Sequence, residues 1–189
     1  ALDAEGDFSP TEEMLDSCPP EMLFFERALD WLKPGGHLGI VMPKSFLDTA
    51  TYRASREFLF KQAELLGVVT LHKNTFQPDT GVRTCILFIR KLETNESPSS
   101  AYPIYMAISQ KIGQDSEGRQ IFVSDVNGNP TDTVDHDLDD ILADYLQHSE
   151  GKLVPSEYRF SVDRSSISED TLNVNPQFYL PDLNETLRQ

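Results

Sequence analysis

The first half of the chain alternates between segments of helical and of strand-like hydrophobic periodicity. The first segment is a predicted helix that begins at Pro19 and Pro20, since proline suits the first turn of a helix. Its apolar side chains form two adjacent rows at helical spacing, which are Phe25, Leu29 and Leu32, and Phe24, Ala28 and Trp31. The sequence KPGG ends this helix, because proline cannot continue it and glycine accepts a positive φ.

Three short apolar runs, HLGIVMP, LLGVVTL and TCILFIR, are predicted to be buried strands. An amphipathic helix, DTATYRASREFLFKQAELL, separates the first two strands, and a helix between buried strands indicates a parallel crossover. A loop of about ten residues without a helix precedes the third strand, which we expect to be an antiparallel neighbour of the second. The pattern predicts an α/β fold on a mostly parallel sheet. Three strands are fewer than the usual number of about five or six, so the sheet is expected to lack strands at its N-terminal side.

The second half of the chain is predicted to form a smaller α+β extension. A polar linker, LETNESPSS, predicts a division into an α/β part (1–92), a linker (93–100) and an extension (101–189). Within the extension, YPIYMAIS and QIFVS are predicted to pair as a hairpin. The sequence DLDDILADYLQH predicts a short surface helix with Asp137 as its N-cap.

Cysteine usage and hydropathy indicate a cytoplasmic protein. The chain has 2 cysteines, Cys18 and Cys85, which lie far apart, and Cys85 falls inside an apolar strand, so neither a disulfide framework nor a zinc site is predicted. No apolar run reaches the 18 or so residues that a transmembrane helix needs. The acidic N-terminus lacks the pattern of a signal peptide, so no membrane partner is expected.

The net charge of −15 argues against a nucleic-acid-binding protein with a broad basic face. Any contact with phosphates must therefore be local, or shared with a basic region outside this sequence. The chain carries no glycine-rich dinucleotide motif, no phosphate-binding loop and no nucleophile or zinc-protease motif. The calcium-like stretch DVNGNPTDTVDH has Pro130 where glycine is needed and His136 where glutamate belongs, so a turn is the better interpretation and no metal ligand is predicted.

The loop LHKNTFQPDTGVRT is the candidate site. If the first two strands are parallel, this loop and Lys44, which follows Pro43, share the edge where ligands bind in open α/β sheets. Phe76 with flanking Lys73 and Arg83 is what a protein would use to stack a base and hold its phosphates. On the residues alone, packing of Phe76 against the sheet is the commoner role, and Lys44 is equally an exposed surface lysine.

The segments PPEMLFFERALDWLKPGGHLGIVMP and YRASREFLFKQAELLGVVTLHKNTFQPDTGVRTCILFIRK resemble the second half of the catalytic domain of N6-adenine DNA methyltransferases. The likeness is greatest to modification subunits of type I restriction-modification systems and related fused enzymes. It covers Pro19 to Lys91, continues more loosely beyond, and LNVNPQFYLP resembles the passage leading into a DNA-recognition region. The resemblance implies a partial Rossmann-like, S-adenosylmethionine-dependent methyltransferase sheet acting on an adenine flipped out of double-stranded DNA.

The resemblance also implies roles for individual residues. Phe76 sits where the family has an aromatic that packs against the flipped base, with Lys73, Arg83 and Lys44 near the DNA backbone. The family's cofactor strand and catalytic Asn-Pro-Pro-aromatic loop precede the matched region, so no catalytic or cofactor-binding residue is expected here. S-adenosylmethionine would be bound by the full-length enzyme, and this fragment alone should be inactive. Specificity and restriction subunits, or fused domains, are the implied partners.

Two other interpretations stay open at this stage. One is a truncated, non-catalytic domain that serves subunit interaction or DNA binding through an exposed sheet edge. The other is a methyltransferase-like fold that acts on RNA or on a small molecule.

Overall fold

The computed structural model describes residues 18–181, and its centre is a mixed five-stranded sheet. The strands, in chain order, are β1 (His37–Pro43), β2 (Ala63–Thr70), β3 (Thr84–Lys91), β4 (Pro103–Ile108), β5 (Phe122–Ser124), β6 (Pro130–Val134) and β7 (Arg159–Asp163). The helices are α1 (Pro20–Trp31), α2 (Arg53–Gln62) and α3 (Leu138–Ser149), with short 3-10 turns at Lys44–Leu47, Ala50–Tyr52, Arg164–Ser166 and Pro176–Phe178. The sheet has the order β1-β3-β2-β4-β7, and β5 and β6 form a separate two-stranded hairpin.

Three strands of the sheet run in the same direction. Strand β3 is antiparallel to both β1 and β2, so these two point the same way with β3 between them. Strand β4 pairs with β2 in parallel, and β7 closes the far side as an antiparallel partner of β4. The last residues of β1, β2 and β4, which are Pro43, Thr70 and Ile108, therefore lie at one edge, called the carboxyl edge below.

The α/β fold class and the antiparallel pairing of β2 with β3 are confirmed. The sheet is nevertheless wider than expected and mostly antiparallel, because β3 returns between β1 and β2 and because β4 and β7 extend the sheet. The predicted pairing of YPIYMAIS with QIFVS is wrong. Strand β4 is buried from Ile104 to Ile108 and fits between two strands of the main sheet, whereas the more exposed β5 pairs with β6. The division at 93–100 stays a prediction, and strands from both sides of it share this sheet.

Helices cover both faces of the sheet. On one face, Phe25 and Leu29 of α1 and Leu59 of α2 are almost fully buried in the main apolar cluster with β1, β2 and β3. On the other face, α3 buries Ile141 in a smaller cluster with Val69 of β2 and with β4. Burial of each such side chain is worth roughly 1.5–3 kcal/mol, so these contacts hold the strand ends in register.

The second apolar row of α1 faces outward. Phe24 is 72% exposed and Trp31 is 79% exposed, although Phe25 beside them is fully buried. The helix therefore presents two large apolar side chains to solvent next to β1, which pairs only with β3 within residues 18–181. An unpaired strand edge with exposed apolar groups nearby is a typical place for another segment or subunit to bind.

The second helix is shorter than its sequence pattern predicts. It was expected to include AELL, but α2 ends at Gln62 and Ala63 already pairs with Lys91 of β3. The pairing places Leu65 opposite Ile89 in the core, where its burial outweighs the helical propensity of alanine, glutamate and leucine.

Two predicted aspartate roles can be compared with the coordinates. Asp125 caps the hairpin turn by accepting hydrogen bonds from the backbone N–H groups of Asn127 and Asn129 at 2.8 and 2.9 Å, which confirms the turn interpretation. Asp137 occupies the N-cap position of α3, but its side chain makes no capping hydrogen bond. Its carboxylate instead accepts hydrogen bonds from the Ser109 hydroxyl (2.8 Å) and the Gln110 N–H (2.6 Å), which ties α3 to the carboxyl end of β4.

Within residues 18–181, no helix combines the length and the apolar character needed to cross a membrane. The same part of the chain contains no group of three or more histidine, cysteine or acidic side chains placed to hold a metal ion. The cytoplasmic location inferred from the cysteines stays a prediction.

Candidate functional site

The loop that carries Phe76, residues 71–83, opens at the carboxyl edge. It leaves β2 at Thr70 and returns into β3 at Thr84, and Thr84 lies directly opposite Pro43 at the end of β1. The backbone N–H of Lys44 also donates a hydrogen bond of 2.8 Å to the carbonyl of Arg83. The expectation that this Phe76 loop and the end of β1 share an edge is therefore confirmed.

The Phe76 side chain lies outside the packed interior of the protein. It is 39% exposed and belongs to neither of the two buried apolar clusters. Leu71, at the start of the same loop, is buried in the smaller cluster and anchors the loop to the sheet. The loop is thus anchored by a buried residue at its start and carries an aromatic ring that is accessible to solvent and to a ligand.

A cavity of about 180 Å³ lies at the same edge and brings the three predicted cations together. Its lining consists of Lys44, Thr70, Leu71, His72, Lys73, Arg83, Ile108, Ser109, Gln110 and Gln177. Lys44 follows β1, Lys73 follows β2 and Arg83 precedes β3, so the strand order alone accounts for their convergence. Within residues 18–181, no carboxylate lines this cationic cavity, and Phe76 is on the loop beside it and not in its wall.

The lining also includes polar residues that the sequence did not indicate. Thr70 is only 4% exposed, and its hydroxyl has no hydrogen-bond partner in the part of the chain that the structure describes. Ser109 and Gln110 follow β4, so correct placement of β4 in the sheet would have predicted them. His72, which carried no ligand spacing, lies in the wall and accepts a hydrogen bond of 3.3 Å from the N–H of Asn74.

Gln177 reaches the cavity because the C-terminal segment returns to the carboxyl edge. Buried Arg56 donates hydrogen bonds to the carbonyls of Phe46 (2.7 Å) and Thr171 (3.0 Å), and this burial lowers the pKa of its guanidinium. Val174 then donates from its N–H to the carbonyl of Leu47 at 2.9 Å. The side-chain carbonyl of Gln177 finally accepts a hydrogen bond from the Lys44 ammonium.

The one cysteine near the carboxyl edge is not a nucleophile. Cys85 pairs with Thr70 across the strands and is fully buried, and burial raises the pKa of its thiol to about 12. The thiol is therefore protonated at neutral pH. Among the described residues, this edge therefore offers cationic and neutral polar side chains beside the exposed Phe76 ring.

A mixed sheet with helices on both faces, whose parallel strands end beside a small cationic cavity, is an architecture found in α/β domains that bind ligands at the carboxyl ends of their strands. Comparison with known proteins makes the class more specific. The sequence profile described as N-6 DNA methylase matches residues 11–186. The chain belongs to this family of S-adenosylmethionine-dependent DNA methyltransferases.

Three solved structures with a similar fold come from type I restriction-modification systems. The methyltransferase subunit from Streptococcus thermophilus has a TM-score of 0.59 and 17% identity, over 92% of this chain and 36% of that one. The modification subunit of an inferred type I restriction enzyme from Vibrio vulnificus YJ016 has a TM-score of 0.57 and 21% identity, over 96% and 38% of the two chains. A chain from a study of complex assembly and conformational transition in a type I system has a TM-score of 0.57 and 23% identity, over 89% and 35%.

These likenesses have clear limits. At such identities they show the fold alone, and the chain spans only a little over a third of each of these structures. No curated protein matches the chain. The comparisons therefore test no role for Phe76, Lys44, Lys73 or Arg83, whose placement at the carboxyl edge comes from the coordinates alone.

Proposed function

We propose that this chain forms the target-base side of the active site in an adenine-N6 DNA methyltransferase of a restriction-modification system. In this proposal Phe76 stacks on an adenine flipped out of the duplex, and Lys44, Lys73 and Arg83 hold the DNA backbone. The observation that carries the proposal is the position of the exposed Phe76 loop beside a cationic cavity at the carboxyl edge.

Exposure and anchoring both suit Phe76 to stacking. A ring that is 39% exposed on a loop rooted by buried Leu71 offers a face to a base without first leaving the core. Stacking of a nucleobase on an aromatic side chain is worth roughly 1–3 kcal/mol. A flipped base needs such a partner, because it has lost its stacking in the duplex.

The cationic cavity suits one phosphate group of the backbone. In the part of the chain that the structure describes, three cationic side chains and no carboxylate line its wall, although the overall charge of the chain is −15. Thr70, whose buried hydroxyl has no hydrogen-bond partner among residues 18–181, also lines the cavity. The local concentration of positive charge accounts for how an acidic chain could still contact DNA at this edge.

S-adenosylmethionine does not fit the cavity that this chain provides. The cofactor carries a sulfonium, an ammonium and one carboxylate, so its net charge is +1, whereas the described part of the wall supplies three cationic side chains and no carboxylate to pair with the two cationic groups. The cavity is also smaller than the roughly 300–1,000 Å³ typical of small-molecule sites. We therefore assign cofactor binding and the Asn-Pro-Pro-aromatic loop to other parts of the full-length enzyme, and expect this chain alone to be inactive.

A titration tests the role of Phe76. The product of the complete open reading frame that contains this chain is titrated with duplex DNA that carries 2-aminopurine at the target adenine. We expect Phe76→Ala to weaken binding roughly 5- to 150-fold, which corresponds to the free energy of one stacked base. Phe76→Tyr is the matched control, because it keeps the aromatic face, and it should bind normally. Equal affinity and equal 2-aminopurine fluorescence for Phe76→Ala and the unmodified protein would refute the stacking role.

A second candidate is a non-catalytic domain that serves subunit interaction. The outward-facing Phe24 and Trp31 beside the edge strand β1 favour it. This candidate predicts that Phe24→Ser and Trp31→Ser weaken binding to the specificity or restriction subunit, and that Phe76→Ala leaves DNA binding unchanged. The 2-aminopurine titration therefore separates the two candidates.

A further inference from the structure

The Phe76 loop rests on a turn from a distant part of the chain, residues 113–120. The side-chain amide nitrogen of Gln114 lies within hydrogen-bonding distance of the carbonyl oxygens of Asn74 (2.6 Å), Thr75 (3.2 Å) and Gln77 (3.1 Å), which share its two N–H donors. The Asn74 side chain donates in return to the carbonyl of Gln114 at 3.4 Å. These backbone carbonyls flank Phe76 on both sides, so one side chain fixes the main chain before and after the ring.

The same turn meets the loop at a second point. Gly118 has a φ of +76°, and a Cβ built on it would lie 2.7 Å from Cδ of Pro78 and 3.4 Å from the carbonyl oxygen of Gln77. Only glycine permits this close approach of the two segments. The turn itself is braced by the Asp115 carboxylate, which accepts hydrogen bonds from the N–H groups of Glu117 (2.8 Å) and Arg119 (3.0 Å).

We infer that Gln114 is a positioning residue, which holds the Phe76 loop in the arrangement that presents the ring to the target base. The inference rests on the proposed function for what Phe76 does, and on the hydrogen bonds for how the ring is held. Within the loop, the N–H groups of Thr75 and Gln77 bond to the carbonyls of His72 and Asn74. The Gln114 amide contacts carbonyl oxygens of this same short turn, so the turn should open when the amide is removed.

Two nearly isosteric variants remove the amide without leaving a large gap. Gln114→Met keeps the length of the side chain and has no N–H donor. Gln114→Glu also lacks donors at neutral pH and places a carboxylate against three carbonyl oxygens, so its effect should be larger. Gln120→Ala is the matched control, because Gln120 is exposed and lies on the partner side of the same turn.

Hydrogen–deuterium exchange of the 189-residue chain tests the holding of the loop independently of DNA. We expect the N–H groups of Thr75 and Gln77 to exchange roughly tenfold faster or more in both Gln114 variants, the effect of one or two lost hydrogen bonds. Protection in β2 and β3 should stay unchanged, as should every amide in Gln120→Ala. Unchanged exchange at Thr75 and Gln77 overturns the inference, and so does a loss of protection throughout the sheet in both variants.

DNA titration then tests whether the holding serves the base. In the complete open reading frame product, Gln114→Met should weaken binding to the 2-aminopurine duplex, and should have no further effect when Phe76 is already alanine. If Gln114 had a purely structural role, Gln114→Met would reduce DNA affinity equally with Phe76 and with alanine at that position. That result would overturn the inference. If Phe76→Ala alone does not change DNA affinity, the proposed function fails. The hydrogen–deuterium exchange data then test on their own whether Gln114 holds the loop.

Discussion

Simultaneous replacement of Lys44, Lys73 and Arg83 by glutamine should change the salt dependence of DNA binding in a way set by their geometry. Each phosphate neutralised by a protein contributes about −0.9 to the slope of log K against log salt on duplex DNA. The three side chains line a single cavity of about 180 Å³, so the proposed function predicts that they converge on one phosphate and do not bind three separate ones. The triple variant should therefore lose a slope of about 0.9, whereas three independent contacts would lose about 2.7.

These slopes correspond to clearly different affinities. Between 50 and 200 mM salt, a slope of about 0.9 changes affinity about 3.5-fold, and a slope of about 2.7 changes it about 40-fold. Fluorescence anisotropy on the complete open reading frame product, at several salt concentrations, measures the slope directly. Lys152→Gln is the control, since Lys152 is exposed, pairs with Glu150 and lies outside the cavity. A loss near 2.7 would refute convergence on one phosphate, and an unchanged slope would remove the DNA backbone role altogether.

Three further predictions concern acid stability, thiol reactivity and the cofactor. The ion pair with Arg90 holds the pKa of Glu96 at about 2, below its usual 4.5, so its contribution to the unfolding free energy is complete above pH 4.5 and is lost as the pH falls towards 2. Urea titrations should show that the unfolding free energy of Glu96→Gln depends less on pH over that range, and an unchanged pH dependence would contradict the ion pair. A thiol reagent should modify Cys18 in the native chain and Cys85 only after unfolding, and rapid native labelling of both would contradict the burial of Cys85. Calorimetry of the chain with S-adenosylmethionine should show no binding, and a micromolar affinity would mean that the cofactor site is misplaced.

Features that depend on short connections could be predicted from the sequence. The helix-free link between LLGVVTL and TCILFIR correctly predicted that β2 and β3 are antiparallel, and that their loop opens at the edge where β1 ends. Lys44, Lys73 and Arg83 follow from this, because each lies within a few residues of a strand end at that edge.

Features that depend on distant contacts could not be predicted in this way. Pairing of Gly67 in β2 with Tyr105 in β4 joins segments separated by a polar linker, and nothing in the local pattern of either strand specifies it. Gln177 reaches Lys44 because several distant contacts, among them the hydrogen bond from Arg56 to the carbonyl of Thr171, hold the C-terminal segment at the carboxyl edge. Likewise, the contact between Gln114 and the Phe76 loop depends on where a surface turn folds, which hydrophobic periodicity does not record.

Photocross-linking would decide whether Phe76 is the residue that meets the flipped base. A duplex with 5-iodouracil in place of the target adenine is bound to the complete open reading frame product, irradiated and digested, and the cross-linked peptide is identified by mass spectrometry. Stacking predicts that the cross-link falls on Phe76 within the sequence NTFQPDTGVR, and that Phe76→Ala abolishes it. A cross-link of equal yield on another segment, unaffected by Phe76→Ala, would contradict the assignment of this loop to the adenine pocket.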